Sequence, residues 1–348
     1  MIHFDVTKSG PARHQSGLMR VSARLRDELG SVASPVCWDP RQGAWLLAGT
    51  RKAARFSKDD WLLTAELFCE QERPGFWHFI RARPCRLAAV FADAIPLRHP
   101  QITWPQSVAR HPEYMKILAS FDRVWAISDA SRRDLLGFWS WQGGTVRAAV
   151  ETIMLGADFD RQPRTAPPAE PPAPQVLCVG ILEPRKNQTF LFDVCEELWA
   201  AGMEFDLHVV GRVNPHFGGP VAARLKTMMK AQPRAHFHDA PTDKRLESLF
   251  AAARVSAFPS IAEGCGLPVL ESLWKGRPCV CSDIPVLREI ADAGGCVVAA
   301  ANDRNAWAGA LRMALTDDAG WRQLAAGAGS RALPVWADTA RALLAGMA

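Results

Sequence analysis

The chain has 348 residues, 48% of them hydrophobic and 22% charged, which is too apolar for a disordered chain and too long for one ordinary core at about 150 residues per domain. No stretch approaches the ~20 uninterrupted apolar residues of a membrane-spanning helix, and the opening Met1-Ile-His-Phe-Asp-Val6 lacks the basic head and apolar run of a signal peptide, so a cytoplasmic protein is expected. The net charge of +5 lies mostly in residues 1–160, with 21 Lys/Arg against 17 Asp/Glu. That balance suits an anionic partner such as a diphosphate or a phospholipid surface, and no basic run is dense enough for nucleic acid.

In chain order, residues 76–83 mix aromatics with arginines. They read either as a helix with core aromatics or as a segment at a lipid surface. Residues 86–91 and 123–127 read as buried strands. Residues 131–138 open like a helix capped by Ser131, with Asp134 three positions on, and residues 145–153 read as a strand. Six of the twelve residues 163–174 are proline, which cannot continue a helix or a central strand, so residues 161–174 are expected to be a linker.

Beyond it, short apolar runs alternate with helical patterns. Strands are expected at 176–181, 205–210, 235–238, 255–258 and 278–281, and helices at about 187–201, 221–231, 244–253 and 268–275. Such alternation means a doubly wound parallel sheet. A second α/β domain is the natural reading of the first half. Nine scattered cysteines without a Cys-x-x-Cys pair suggest neither a disulfide framework nor a zinc site. Eight of the 13 tryptophans precede residue 142 and are expected to be mostly core.

Two segments carry chemistry. Phe258-Pro-Ser-Ile-Ala-Glu263-Gly-Cys-Gly-Leu-Pro-Val-Leu-Glu271 reads as a strand ending at the carboxyl edge of the sheet, where α/β ligands bind. A Gly-x-Gly turn and a helix N-terminus follow, suited to an anion. By spacing alone, an ordinary strand–turn–helix with two exposed acids explains this as well. In Gly180-Ile-Leu-Glu-Pro-Arg185-Lys186-Asn187, two adjacent cations stand just before a helix, where the helix dipole disfavours them, and this points to an anion site.

Together these segments resemble the retaining glycosyltransferases of family 4, which have the GT-B fold. The Glu, seven residues, Glu pattern enclosing Gly-x-Gly-Leu-Pro is that family's strongest motif, and Gly-Ile-Leu-Glu-Pro-Arg-Lys-Asn is similar to its diphosphate loop. The likeness runs through Val209-Val-Gly211, residues 246–253 and Ser282-Asp-Ile-Pro-Val-Leu-Arg-Glu289. In the first half it rests on Gly17-Leu-Met-Arg-Val21, Asp93-Ala-Ile-Pro-Leu-Arg-His-Pro100, Ala126-Ile-Ser128-Asp-Ala-Ser131 and Leu155-Gly156-Ala-Asp158. Ala92 stands where many relatives have a His beside the transferred sugar, and Cys265 where they often have an aromatic residue.

The resemblance implies two Rossmann-like doubly wound domains facing across a cleft. The first spans residues 1–160 plus about 335–348, including a helix from Trp336 that crosses back, and the second spans 175–334. It implies a hexose moved from a nucleotide diphosphate sugar to an acceptor hydroxyl with retention, with no metal or other cofactor. The implied catalytic residues are Glu263 at the sugar, Arg185 and Lys186 at the diphosphate, and Asp93 towards the acceptor. Donor contacts fall to Gly17, Gly180, Asn187, Gly211, His238, Ala240, Pro241, Leu246, Gly264, Cys265, Gly266, Leu267 and Glu271, the last on the ribose.

By analogy the donor is GDP-mannose. The acceptor is a glycan or lipid-linked oligosaccharide in bacterial surface-polysaccharide or glycolipid assembly, with peripheral contact at the inner face of the plasma membrane through the basic domain. A UDP-sugar-dependent transferase, a GT-B sugar-nucleotide epimerase and a non-catalytic nucleotide-sugar-binding subunit stay open. An NAD-linked oxidoreductase is disfavoured by the lack of Gly-x-Gly-x-x-Gly after either first strand. Asp158-Phe-Asp160 spells a metal-binding Asp-x-Asp but falls at the domain connection and reads as structural.

Overall fold

The computed structural model describes residues 1–10 and 17–348. They form two compact units, Met1–Phe159 with Pro334–Ala348, and Asp160–Leu333.

The first unit holds strands β1 (Ile2–Asp5), β2 (Ala33–Asp39), β3 (Ala44–Leu47), β4 (Trp61–Thr64), β5 (Arg86–Phe91), β6 (Arg123–Ala126) and β7 (Ala149–Thr152). Their order is β3-β2-β1-β4-β5-β6-β7, with every neighbour parallel except the β2–β3 hairpin. β1 and β4 are buried along their whole length, as central strands covered on both faces must be. Helices α1 (Gly17–Leu29), α2 (Phe76–Ala82), α3 (Ile95–Arg98), α4 (Pro105–Leu118) and α5 (Asp129–Gln142) complete the crossovers.

The α5 cap is Ser128, whose Oγ accepts the Ser131 N–H at 3.1 Å, rather than the expected Ser131. Ser131 points its own hydroxyl at the Ala92 carbonyl, 2.8 Å away. The expected strand over 145–153 shortens to β7. Trp38, Trp45, Phe68, Phe76 and Tyr114 pack edge to face in the core, each such contact adding about 0.5–1.5 kcal/mol to the area buried. Of the eight early tryptophans, Trp104 and Trp141 are exposed, and five are buried.

The second unit has strands β8 (Gln175–Val179), β9 (Asp206–Val210), β10 (Ala235–His238), β11 (Val255–Phe258), β12 (Cys279–Ser282) and β13 (Cys296–Ala299). All are parallel, in the order β10-β9-β8-β11-β12-β13. Helices α6 (Gln188–Ala200), α7 (Gly219–Ala231), α8 (Asp243–Ala252), α9 (Leu267–Trp274), α10 (Pro285–Ala291), α11 (Arg304–Thr316) and α12 (Asp318–Ser330) alternate with them. Leu191, Phe192, Leu198, Val209, Trp307 and Leu311 are at most 1% exposed in its main core. Each fully buried side chain of this kind contributes roughly 1.5–3 kcal/mol.

Residues 161–174, expected as a linker, are strapped to this unit. The Thr165 N–H donates to Trp274 O at 3.0 Å, the Trp274 indole donates to Gln162 O at 3.0 Å, and the Arg164 guanidinium donates to Arg331 O at 2.7 Å. Proline supplies no N–H, so the fixing donors come from its neighbours.

The last helix, α13 (Trp336–Met347), belongs to the first unit. Trp336 is fully buried, and the Thr339 hydroxyl donates to Met154 O at 2.8 Å. The Trp61 indole donates to Met347 O at 2.7 Å.

Candidate active site

In the second sheet the strand order reverses at β8, so the carboxyl ends of β8 and β11 lie side by side. This is the switch point at which parallel α/β sheets leave a ligand crevice. Both chemistry-bearing segments emerge there. After β8 the chain turns at Gly180, and Pro184–Lys186 form a single 3₁₀ turn. Asn187, at φ 54°, then starts α6. The approach to β9 is tight: a Cβ on Gly211 would sit 2.0 Å from the Gly180 carbonyl oxygen, so position 211 admits only glycine.

The β8 and β11 loops are zipped together. The Ile261 N–H donates to Arg185 O at 3.0 Å, and the Arg185 guanidinium donates to Ala262 O at 2.9 Å. Glu263, its side chain 8% exposed, receives Arg185 on one oxygen at 3.0 Å and Lys186 on the other at 2.6 Å. Arg185 also pairs with Glu183 at 2.7 Å, and the Asn214 amide holds Glu183 at 2.8 Å. The Lys186 ammonium lies 4.7 Å from the centroid of the Phe258 ring.

Burial would raise the Glu263 pKa, but Arg185 and Lys186 outweigh it and hold the carboxyl below its ordinary value. Burial pulls Lys186 below its ordinary value, with Glu263 opposing. Two carboxylates thus balance two cations. The structure therefore joins Glu263, Arg185 and Lys186, which the motifs had assigned to different parts of a ligand, into one charge cluster. Glu183, Asn214 and Phe258 complete it. Of these, Glu183 was within reach of sequence reasoning, since it lies inside the cationic motif.

Gly266 adopts φ 84° and caps α9, and Leu287 would clash with any Cβ there, 2.5 Å away. The amides of Gly264, Cys265, Gly266 and Leu267 thus lead into a helix N-terminus with its positive dipole end. Cys265 is buried, and burial, then Glu263 and Glu289, pushes its thiol up to about 12. It stays protonated at neutral pH and supplies shape. Glu271 sits one turn into α9, 9% exposed.

The other expected donor contacts lie at neighbouring strand ends. The His238 carbonyl accepts the Gly211 N–H at 3.1 Å, while its ring meets His208 Nδ1 at 3.0 Å. Ala240 takes φ 43°, Pro241 follows it, and Leu246 packs with Leu177, Val210 and Leu249. The Asn187 amide is engaged by Asn302 at 3.0 Å, so α6 begins with a loop-to-loop contact there. A Cβ on Gly180 would lie 3.7 Å from the Lys186 stem.

In the first unit, Gly17 opens α1, and a Cβ there would meet nothing within 4 Å among the described residues. Asp93 follows β5, its carboxylate accepting the Ile95 N–H at 2.9 Å and its carbonyl facing His111 Nε2 at 2.9 Å. His111 is buried, and burial lowers its pKa against the pull of Asp93. This partner of Asp93, eighteen positions away, has no local signal in the sequence.

Asp158 accepts the Trp336 N–H at 2.7 Å and meets Arg24 at 3.3 Å, while Asp160 pairs with Lys275. Among the described residues, no group of three or more His, Cys, Asp or Glu is placed to hold a metal ion. Among the described residues no helix is long and apolar enough to cross a membrane.

Comparison with known proteins converges on one family. A family model described as glycosyl transferases group 1 matches residues 173–317. The serotype-specific mannosyltransferase WbdA of Escherichia coli is 30% identical over 312 residues, covering 80% of this chain and 38% of that protein. The O-antigen chain mannosyltransferase B of the same organism is 28% identical over 221 residues, 61% of this chain and 56% of that one. The chain thus spans 38% of the length of WbdA.

Among solved structures, sucrose-phosphate synthase from Thermosynechococcus elongatus superposes with a TM-score of 0.73 at 18% identity, covering 99% of both chains. Anabaena Alr3699/HepE, in complex with UDP and glucose, gives 0.70 at 14% identity, covering 99% of this chain and 98% of that one. Residues 173–317 thus match the model of the group 1 glycosyl transferases, and the fold is GT-B.

Proposed function

We propose that the chain is a retaining glycosyltransferase that moves mannose from GDP-mannose onto an acceptor hydroxyl in the assembly of a bacterial surface polysaccharide or glycolipid. The observation that carries this reading is the cluster of Arg185, Lys186 and Glu263 at the switch point of the second sheet. It lies within the segment matched by the family model. The names of WbdA and of the O-antigen chain mannosyltransferase, both mannosyltransferases, favour mannose as the sugar.

The chemistry follows from charge. Breaking the anomeric bond leaves a positive sugar and adds negative charge to the departing diphosphate. Arg185, a planar fork, and Lys186, a point charge, stand beside the α9 N-terminus and stabilise that charge more in the transition state than in the ground state. Glu263 holds sugar hydroxyls near the reacting carbon, Glu271 takes the ribose hydroxyls, and the amides of Gly264–Leu267 meet sugar or phosphate. Attack comes from the leaving-group face, with the phosphate accepting the acceptor's proton. The positive charge this needs is supplied by side chains and amides, so no metal is required. Asp93 faces the acceptor, a glycan or a lipid-linked oligosaccharide, and the basic first unit meets the inner membrane surface peripherally.

The test is thermal stability against GDP, UDP, ADP and dTDP, each alone and as sugar conjugates, and against NAD. A ligand at ~100 times its dissociation constant adds about 2.7 kcal/mol to the folded state. GDP and GDP-mannose should raise the melting temperature, and transfer to an acceptor should then give a product of unchanged anomeric configuration by NMR. Stabilisation by UDP alone would replace the donor, an inverted product would refute retention, and stabilisation by NAD would refute the transferase reading.

A further inference from the structure

The first sheet also reverses its order, at β1, so the carboxyl ends of β1 and β4 form a second switch point. Three charged groups are buried there. Asp5 is 0%, Arg73 1% and Glu66 4% exposed. The Arg73 guanidinium donates to Asp5 at 2.6 Å and to Glu66 at 3.1 Å. Its remaining nitrogens, Nε and Nη1, have no hydrogen-bond partner among the described residues. The guanidinium is instead enclosed by the rings of Phe68, Trp45 and Phe76, at 4.6, 5.3 and 5.6 Å, and is held rigid.

Glu66 turns its other contacts to the turn that follows β1. It accepts the Lys8 N–H at 2.9 Å, the Ser9 N–H at 2.8 Å and the Ser9 hydroxyl at 2.9 Å. The Ser22 hydroxyl of α1 reaches Ser9 Oγ at 3.1 Å. The same turn is closed by the Gly10 N–H on Val6 O at 2.9 Å. A chain of contacts therefore runs from Arg73 through Glu66 and Ser9 to α1.

The balance of charge says what Glu66 is for. Two carboxylates face one guanidinium in a dry interior, and both burial and Asp5 raise the Glu66 pKa. Without Glu66, Asp5 and Arg73 would remain as a neutral pair 2.6 Å apart. A buried charge of this kind adds little net stability, because its desolvation offsets its attraction. What it does supply is geometry, in three donors fixed on one carboxylate.

We propose that Glu66 is a positioning residue for the glycosyl transfer inferred above, holding the turn Lys8–Gly10, and through Ser9 the seat of α1, in the conformation that turnover requires. The role rests on that reading of the function. It acts through the backbone it fixes, so its loss should appear in kcat rather than in donor binding. Glu66→Gln keeps one acceptor oxygen and cannot serve both Arg73 and the turn. Glu66→Asp keeps the charge on a shorter stem, and Ser9→Ala cuts only the link to α1.

The experiment compares wild type, E66Q, E66D and S9A by thermal melting, amide hydrogen exchange at Lys8 and Ser9, and steady-state kinetics with the donor that the wild type uses. E66Q should melt within about 3 °C of wild type, exchange those two amides at least tenfold faster, and lose at least tenfold in kcat with donor KM within threefold. E66D should recover part of kcat, and S9A should lie between wild type and E66Q. Wild-type kcat in E66Q, or a loss confined to KM, overturns the proposal. If E66Q does not fold, a wild-type kcat in S9A and E66D together overturns it. A wild type inert toward every sugar nucleotide refutes the transferase reading and this role with it, whereas an active wild type with an unimpaired E66Q refutes this role alone.

Discussion

Replacing Glu263 by Gln perturbs the charge cluster where its magnitude can be worked out. Lys186 is 10% exposed and gives its ammonium to Glu263 at 2.6 Å. Arg185 has other acceptors in Glu183 at 2.7 Å and Ala262 O at 2.9 Å, so the substitution strands the lysine far more than the arginine. Removing one partner of a buried ion pair costs about 3–5 kcal/mol. Gln retains one acceptor oxygen and the Phe258 face stays beside the ammonium, which brings the expected cost to about 2 kcal/mol. At roughly 2–4 °C per kcal/mol for a unit of this size, the melting temperature should fall by about 4–8 °C. Lys186→Met should cost a similar amount, and the double variant should fall short of the sum by about 1.5 kcal/mol.

The same change moves the cluster from two cations against two carboxylates to a net charge of +1. If Glu263 restrains the cations at rest, a free nucleoside diphosphate should then bind about three- to tenfold more tightly while sugar transfer collapses. Urea denaturation and titration calorimetry read the two effects. Additive single and double variants would show that no pair forms in solution. Weaker diphosphate binding by E263Q would refute the idea that Glu263 holds the cations in check.

Three further outcomes are expected. His208 is pushed down to about 4, by burial first and then by His236, His238 and Arg245; its unfolded value of 6.5 lies higher, so the unfolded chain takes up the proton first as pH falls. Stability should hold above about pH 6.5 and decline by about 1–2 kcal/mol towards pH 4, after discounting for partial exposure; urea midpoints of His208→Asn should be flatter over that range, and parallel losses in both proteins would contradict the assignment. Gly211→Ala places a Cβ 2.0 Å from a backbone oxygen at φ 149° and should cost more than about 3 kcal/mol, so an unchanged urea midpoint would disprove the close approach. Asp158→Asn weakens the contacts to Trp336 and Arg24 and should cost about 1–2 kcal/mol while leaving transfer insensitive to chelators; a manganese-dependent activity lost in that variant would restore the metal reading of Asp-x-Asp.

Five of the six strands of the second unit are legible in the sequence because their signals are local, and β11, expected over 255–258, is found at Val255–Phe258. β13 (Cys296–Ala299), where the fourth of a short run of residues alone is buried, and the helices α10, α11 and α12 are not among the expected elements. The first unit hides its strands. β1, β2, β3 and β4 went unmarked because buried runs as short as Ile2–Asp5 and Trp61–Thr64 carry no alternation to separate strand from helix. The α5 cap was misplaced by three positions because Ser128 and Ser131 are equally good capping residues, and only the fold sends Ser131 to Ala92 instead. Pairings across the fold were beyond reach for the same reason. Lys186 and Glu263 are 77 positions apart, and Arg73 and Asp5 are 68, so no spacing rule joins them.

What the two switch points share, and where they differ, separates binding from positioning. Each gathers carboxylates and cations at the strand ends where a parallel sheet leaves room for a ligand. In the first unit the guanidinium is 1% exposed, closed in by three aromatic rings, and its glutamate is committed to backbone donors. Displacing those partners would break the turn that they hold, which suits the positioning role proposed for Glu66. In the second unit Arg185 is 22% exposed and, besides the Ala262 carbonyl, is held by the carboxylates of Glu183 and Glu263, and a guanidinium can exchange a carboxylate for a phosphate of the same bidentate shape. In the function proposed above, a diphosphate arriving there would replace Glu263 on the cations and free that carboxylate for the sugar, so the resting ion pair and the working contacts would be alternative uses of the same three side chains.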